Sequence, residues 1–442
     1  MRKVTGNNKL YHFLFPHVAF FVRRFYKEFR TKGFEKIGKD EAVILAPNHQ
    51  AAFMDALVML DGVGWKNQLS ILVRASIFKT KTAAYLLNKI NLMPVFRRDY
   101  DGAENLDKND AIFDNCVELL SDKKYLVLFP EATHNLQRRL IPLKKGVTRI
   151  AFATEEKNQF QLNLKIYPVG IYYTNPRNFY EKVLVQVGEP VVVREFESVY
   201  QENPAKAHTM VKSLLEQRIR ELMIDIRNEE FYDTIERLRL IDLNEKSLDK
   251  VEEDFRNSKV LIAKSEQWVK QHPEDAAVLK AETWEYFDIL DHAEVKDRYL
   301  GPQAPKFNLV VEGLLLLLLS PFMVIGWLHS YLPFYLPSRM VKKKIKDPGF
   351  YSSIKAAFSA FIFPVMHLLS FLIFWIVSGS FLKSVLWVFL VLISTEIAIW
   401  SWLRLVEIRH FLRAEKFKSS ASFEKAMGLR QSIVKKLRSF HS

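Results

Sequence analysis

The 442-residue chain contains one cysteine, Cys116. That rules out a disulfide framework and a cysteine-built metal site. Cys116 falls in the amphipathic helical pattern of residues 111–120 and reads as core packing. Acidic residues are also in deficit: 50 Asp and Glu against 64 Lys and Arg leave a net charge of +14. A basic balance suits nucleic acid or an anionic membrane surface, but no zinc finger or other nucleic-acid signature accompanies it. The N-terminus lacks the small-residue cleavage site of a secretory signal. No serine or cysteine stands out as a nucleophile.

What is present is apolar sequence, unevenly spread. Residues 1–35 pair aromatic residues with Arg23, Arg24 and Arg30, a mixture that fits a membrane-associating amphipathic helix or a helix docked on the domain that follows. Residues 36–230 alternate apolar runs with helical patterns, which predicts an α/β layer fold. Strands are expected over 42–46, 69–73, 125–129, 164–173 and 183–193, and helices over 82–90, 109–120 and 147–154. Residues 231–300 read as a charged helical spacer, and Gly301-Pro302-Gln303-Ala304-Pro305 breaks the pattern.

A helical membrane region is expected over 306–405. Two segments, 354–377 and 382–403, reach the roughly 20 residues a spanning helix needs. The segment 309–336 is interrupted at Ser320-Pro321, Pro333 and Pro337, so it is expected to form a re-entrant or interfacial hairpin. Residues 406–442 read as a basic cytoplasmic tail. Lys342-Lys343-Lys344-Ile345-Lys346 and the basic residues after 403 then share one side of the membrane, which the positive-inside rule makes cytoplasmic. Glu312, His367 and Glu396 are ionisable residues within these apolar segments. They are candidates for function or for pairing inside the bundle.

Four short blocks carry chemistry. The first is Asn48-His49-Gln50-Ala51-Ala52-Phe53-Met54-Asp55, just after an apolar strand. An imidazole followed by a carboxylate on a helix is what a general base needs, because the carboxylate holds one ring nitrogen while the other takes a proton. The second ends in Arg97-Arg98, and paired guanidinium groups suit a phosphate. The third is Phe129-Pro130-Glu131-Ala132-Thr133-His134. It presents Glu131, Thr133 and His134 at a strand's C-terminal edge, where open α/β sheets bind ligands. Arg138, Arg139, Lys144, Lys145 and Gly146 follow, the last three opening a helix whose free N–H groups favour an anion. The fourth, Tyr167-Pro168-Val169-Gly170-Ile171, is an apolar strand that suits either a core or an acyl groove.

In this order the four blocks resemble the glycerolipid acyltransferases, which acylate glycerol 3-phosphate and lysophosphatidate. The resemblance covers roughly residues 40–195. It implies a mixed sheet flanked by helices, His49 as base, Asp55 as its orienting partner, Arg97 on the acceptor's phosphate, Glu131 near the acceptor, and the fourth block at the acyl-donor pocket. Two departures stand out. Five residues separate His49 from Asp55 where the family usually has four, which on an ideal helix turns the carboxylate by about 100°. The third block usually reads Phe-Pro-Glu-Gly-Thr-Arg, whereas Ala132 and His134 stand here. Arg138 or Arg139 is the candidate to replace the missing arginine.

The function implied is membrane-bound acyl transfer from acyl-CoA or acyl carrier protein to the hydroxyl of lysophosphatidate, forming phosphatidate. Backbone N–H groups near the helix start after His49 would serve as oxyanion donors. No metal, no further cofactor and no nucleic acid is implied. Glycerol 3-phosphate or another lyso-lipid is the alternative acceptor, and a non-catalytic membrane scaffold is the rival from a different class.

Overall fold

The computed structural model describes residues 4, 8–65, 67–78, 80–97, 102, 107–246 and 248–440, with the side chain of residue 342 left out. The chain divides into two units, residues 1–225 with 347–356, and residues 226–346 with 357–442.

In the first unit, eight strands form one sheet among the described residues: β1 (Glu28–Lys32), β2 (Val43–Pro47), β3 (Leu69–Arg74), β4 (Leu92–Val95), β5 (Tyr125–Val127), β6 (Lys165–Tyr173), β7 (Lys182–Val187) and β8 (Val191–Val192). Their order is β1-β7-β6-β2-β5-β3-β4, with β8 paired to β6. The run β6-β2-β5-β3-β4 is parallel, and β7 and β8 lie antiparallel to β6. The sheet is therefore mixed, as the family resemblance implies.

β2 shows why the sequence reads as a buried strand. Val43 and Leu45 point to one face and Ile44 and Ala46 to the other, all fully buried. Both faces are covered, so the strand is apolar throughout rather than alternating. One face packs on α1 (Lys9–Phe25) and α2 (Phe53–Val63), through Tyr11, Phe25, Met54 and Val58. The other packs on α4 (Lys108–Ser121), α5 (Gly146–Lys157) and α7 (Pro204–Leu222), through Cys116, Phe152 and Leu215. Two further helices, α3 (Lys81–Lys89) and α6 (Glu197–Glu202), complete the unit.

Two expectations change here. Residues 28–32, placed in the N-terminal helix by sequence, form β1 at the edge of the sheet, in parallel register with β7. The expected strand over 183–193 is two strands, broken at Gly188-Glu189-Pro190. Pro94 sits in β4 without penalty because β4 is the opposite edge strand, where a ladder donor is dispensable.

The second unit is helical. α8 (Tyr232–Lys246), α9 (Val251–Gln271) and α10 (Pro273–Ala293) pack with α14 (Ser422–Ser439) and the end of α13 (Phe381–Phe417) around Leu238, Ile241, Leu261, Tyr286, Phe417 and Ile433. The segment read as a basic tail is thus largely an ordered helix, with Ala426, Arg430, Ile433 and Leu437 along its buried stripe. Arg430 clasps it in place, donating to Asp297 at 2.8 Å and to Glu245 at 2.6 Å.

Among the described residues, three helices are long and apolar enough to cross a membrane: α11 (Leu309–Lys344), α12 (Tyr351–Ser378) and α13. The hairpin expected over 309–336 is absent, and α11 runs unbroken through its three prolines. Pro321 frees the Leu317 carbonyl, which accepts from the Ser320 hydroxyl at 2.7 Å. Pro337 frees the Pro333 carbonyl, which accepts from Ser359 of α12 at 3.0 Å. Hydroxyl donors are a known way to keep a proline-bearing membrane helix satisfied. Glu312 is paired with Arg404, so its charge has a partner inside the bundle.

Candidate active site

β2 delivers Asn48 and His49 to the loop before α2. Asn48 fastens this loop to β6, its side-chain amide accepting from Ile171 N at 2.6 Å and donating to Ile171 O at 3.2 Å. His49 Nδ1 lies 2.8 Å from Asp55 Oδ2. The same oxygen accepts the N–H groups of Gln50 and Ala51, each at 2.8 Å, and Asp55 Oδ1 accepts the Tyr173 hydroxyl at 2.7 Å. A fully buried carboxylate with four donors is fixed in direction.

The longer His–Asp spacing is absorbed before the helix. His49 stands in the turn, α2 starts only at Phe53, and Ala52 between them takes φ +47°, a conformation that costs a residue bearing a Cβ. Because Gln50 and Ala51 turn their N–H groups onto Asp55, neither is free to serve as the oxyanion donor expected at this helix start.

Burial pulls the His49 imidazole below its ordinary pKa. Asp55 pulls it back up, and His134 and Arg97 push it down again. The ring is therefore neutral at neutral pH, as a base must be. With Nδ1 on Asp55, Nε2 is the nitrogen left to take a proton. Phe129 stacks on the ring at 4.0 Å, and His134 meets it edge-on at 5.7 Å.

Glu131, expected near the acceptor, is a buried brace that also lines the cavity beside His49. Its Oε1 accepts the His49 N–H at 2.6 Å and its Oε2 the Ile141 N–H at 2.9 Å. Burial pushes its carboxyl up to about 8, against the pull of those two N–H groups. Arg138 is likewise buried. It donates to the Thr174 carbonyl at 2.9 Å and lies over Tyr172, tying the third block to the fourth rather than standing free for phosphate.

A small cavity is lined by His49, Gln50, Glu131, Arg138, Arg139 and Tyr172, among others. Arg139 is the half-buried cation in it. Arg97 follows β4, beside Phe96, whose backbone N–H and C=O are both clamped by the Asn109 side chain at 2.9 Å. Its charge reaches His49. Thr133 is half-buried in the third-block loop. Lys144, Lys145 and Gly146 do not line the cavity with His49; they open α5, where Lys145 acts on His208 of α7. Arg98 lies outside the described residues.

Sequence reasoning missed Tyr173 and Asn48 as partners of the pair. Tyr173 is separated from Asp55 by 118 positions, and only its place at the end of the strand that carries the fourth block hinted at a role. Gly170 in that block is required by close approach, since a Cβ there would lie 2.0 Å from the Leu222 carbonyl oxygen.

Residues 28–172 match the sequence model of the family described as Acyltransferase. Residues 28–172 therefore carry an acyltransferase domain. Within the yeast Saccharomyces cerevisiae (strain ATCC 204508 / S288c), Glycerol-3-phosphate O-acyltransferase 1 is 30% identical over 118 residues, which is 26% of this chain and 15% of that protein. Glycerol-3-phosphate O-acyltransferase 2 is 25% identical over 158 residues, 36% of this chain and 20% of that protein. The chain thus spans a fifth or less of the length of these curated relatives. Among solved structures, the 1-acyl-sn-glycerophosphate (LPA) acyltransferase PlsC from Thermotoga maritima aligns at 21% identity and a TM-score of 0.33, covering 47% of this chain and 81% of that one. The acyltransferase domain holds all four sequence blocks.

Proposed function

We propose that this protein transfers a fatty acyl group from a thioester, acyl-CoA or acyl carrier protein, to the hydroxyl of a glycerol phosphate acceptor. The observation that carries the reading is the His49–Asp55 pair, a half-buried imidazole on a buried carboxylate, hydrogen bonded and biased to the neutral ring. His49 Nε2 takes the hydroxyl proton as the oxygen attacks the thioester carbonyl. The tetrahedral intermediate collapses, the C–S bond breaks, and the imidazolium returns the proton to the leaving thiolate. Asp55 fixes the tautomer throughout. Arg97 and Arg139 are the candidates to hold the acceptor's phosphate, so that the hydroxyl is positioned before it reacts.

Lysophosphatidate, giving phosphatidate, suits a protein with three apolar helices, because that acceptor already resides in the bilayer. Glycerol 3-phosphate is the second reading, favoured by likeness to two yeast glycerol-3-phosphate O-acyltransferases. The protein is read as a multi-pass membrane protein with its catalytic unit on the cytoplasmic side, where thioester donors and the basic flanking residues belong. Phe13 and Phe20, exposed on α1 while Tyr11, Val22 and Phe25 pack inward, are read as a lipid-facing edge of the same unit.

The test is acyl transfer in proteoliposomes by wild type and His49→Ala, with each donor and each acceptor offered separately. Transfer to one acceptor that disappears in the variant supports the reading and chooses the acceptor. A folded wild type that transfers to neither from either donor defeats it.

A further inference from the structure

Between the first and second apolar helices the chain returns to the catalytic unit. Residues 347–356 belong to it, and Ala356 is buried in its core with Met54 and Tyr173. The start of this segment lies on His134. Asp347 Oδ2 is 2.9 Å from His134 Nε2, and the Phe350 ring meets the imidazole edge-on at 5.0 Å. Gly349 presses its backbone against the ring, where a Cβ would lie 2.5 Å from Cδ2 and Nε2. The Gly349 N–H donates back to Asp347 Oδ1 at 2.9 Å, so the carboxylate is held at both oxygens. On its other side His134 touches His49.

His134 stands where the third block usually carries an arginine, and Arg138 is committed elsewhere. We propose that Asp347 is a positioning residue for acceptor binding, holding His134 so that its remaining ring nitrogen, Nδ1, takes the place of that arginine at the acceptor's phosphate. This rests on the acyltransferase reading above. Nε2 faces the carboxylate, which leaves Nδ1, on the other side of the ring, for the acceptor; a ring with a proton on each nitrogen gives one N–H donor to each. Burial alone would raise the Asp347 carboxyl, but the Gly349 N–H and His134 outweigh it and hold it below its ordinary range. The linker between two apolar helices thereby supplies part of the acceptor site.

The test uses the full-length protein in proteoliposomes, with whichever acceptor the wild type acylates. Asp347→Ala is expected to raise the acceptor KM about tenfold, the worth of a charge-assisted hydrogen bond, while kcat falls much less. Asp347→Glu should recover most of that loss, and Asp347→Ala should add nothing in a His134→Ala background. An unchanged acceptor KM, or an equal further loss in the His134→Ala background, overturns the proposal. Wild type that acylates neither acceptor defeats the activity reading instead. The pair then stands or falls on a thermal-unfolding cycle of His134→Ala and Asp347→Ala, where coupled effects support the contact and additive ones overturn it.

Discussion

Tyr173 donates its hydroxyl to Asp55 Oδ1 at 2.7 Å, while Asp55 Oδ2 faces His49 Nδ1. The end of β6 thus sets the direction of the carboxylate that sets the direction of the base. Tyr26, itself buried, stacks on Tyr173 at 6.0 Å. Tyr173→Phe removes one hydrogen bond to a buried charge, worth about 1.5–3 kcal/mol. We expect a fall in kcat of roughly tenfold or more with the acceptor KM little changed. A variant with wild-type kcat would show that the hydroxyl only fills space.

Asp55→Asn keeps the shape of the carboxylate and removes its charge. Asp55 raises the His49 pKa, so its loss lowers it further. Burial already places the acidic limb of the wild-type kcat/KM profile below pH 6.5, and the variant's limb should lie lower still. A plateau about a hundredfold or more below wild type is expected, because the tautomer is no longer fixed. An acidic limb that moves upward would contradict this account.

Glu131 tests the brace. Its folded pKa of about 8 lies above the unfolded carboxyl value. Between those two values the native state binds more protons than the unfolded one. The stability this group contributes is thus present at low pH and lost as pH rises through about 8. Glu131→Gln removes that titration. Thermal melts of wild type minus Glu131→Gln should fall steadily from pH 5 to pH 8, and a flat difference would exclude the burial effect. The variant should also lose activity, because one of the His49 and Ile141 N–H groups then faces an amide donor.

The sequence was legible where a single property dominated. β2 and β6 are apolar on both faces and declared themselves, as did the amphipathic stripe around Cys116. β1 did not, because Glu28-Phe29-Arg30-Thr31-Lys32 is a charged edge strand that hides its pairing with β7. The prolines of α11 suggested a hairpin because the hydroxyls that satisfy the freed carbonyls are invisible to an apolar count; one of them, Ser359, comes from another helix. His49 and Asp55 were found because they lie in one block. Their supports, Tyr173 and Asn48's grip on Ile171, join residues more than a hundred positions apart, and Asp347 reaches His134 from beyond the first apolar helix.

The helical unit constrains how the chain crosses a membrane. Leu238, Leu261, Tyr286 and Leu290 share one core with Phe417, Ile433 and Leu437. Segments that pack in one core lie on one side of a bilayer, so the chain must cross an even number of times between residues 300 and 414. We therefore expect two of the three apolar helices to cross, and not all three. The chain's single cysteine, Cys116, is fully buried, which leaves a silent background for labelling. His272→Cys, at the turn between α9 and α10, and Arg438→Cys, near the end of α14, both present exposed positions. In sealed vesicles an impermeant maleimide should reach both from the same side. Labelling from opposite sides would mean that this shared core does not form in the membrane-bound protein, and would require an odd number of crossings.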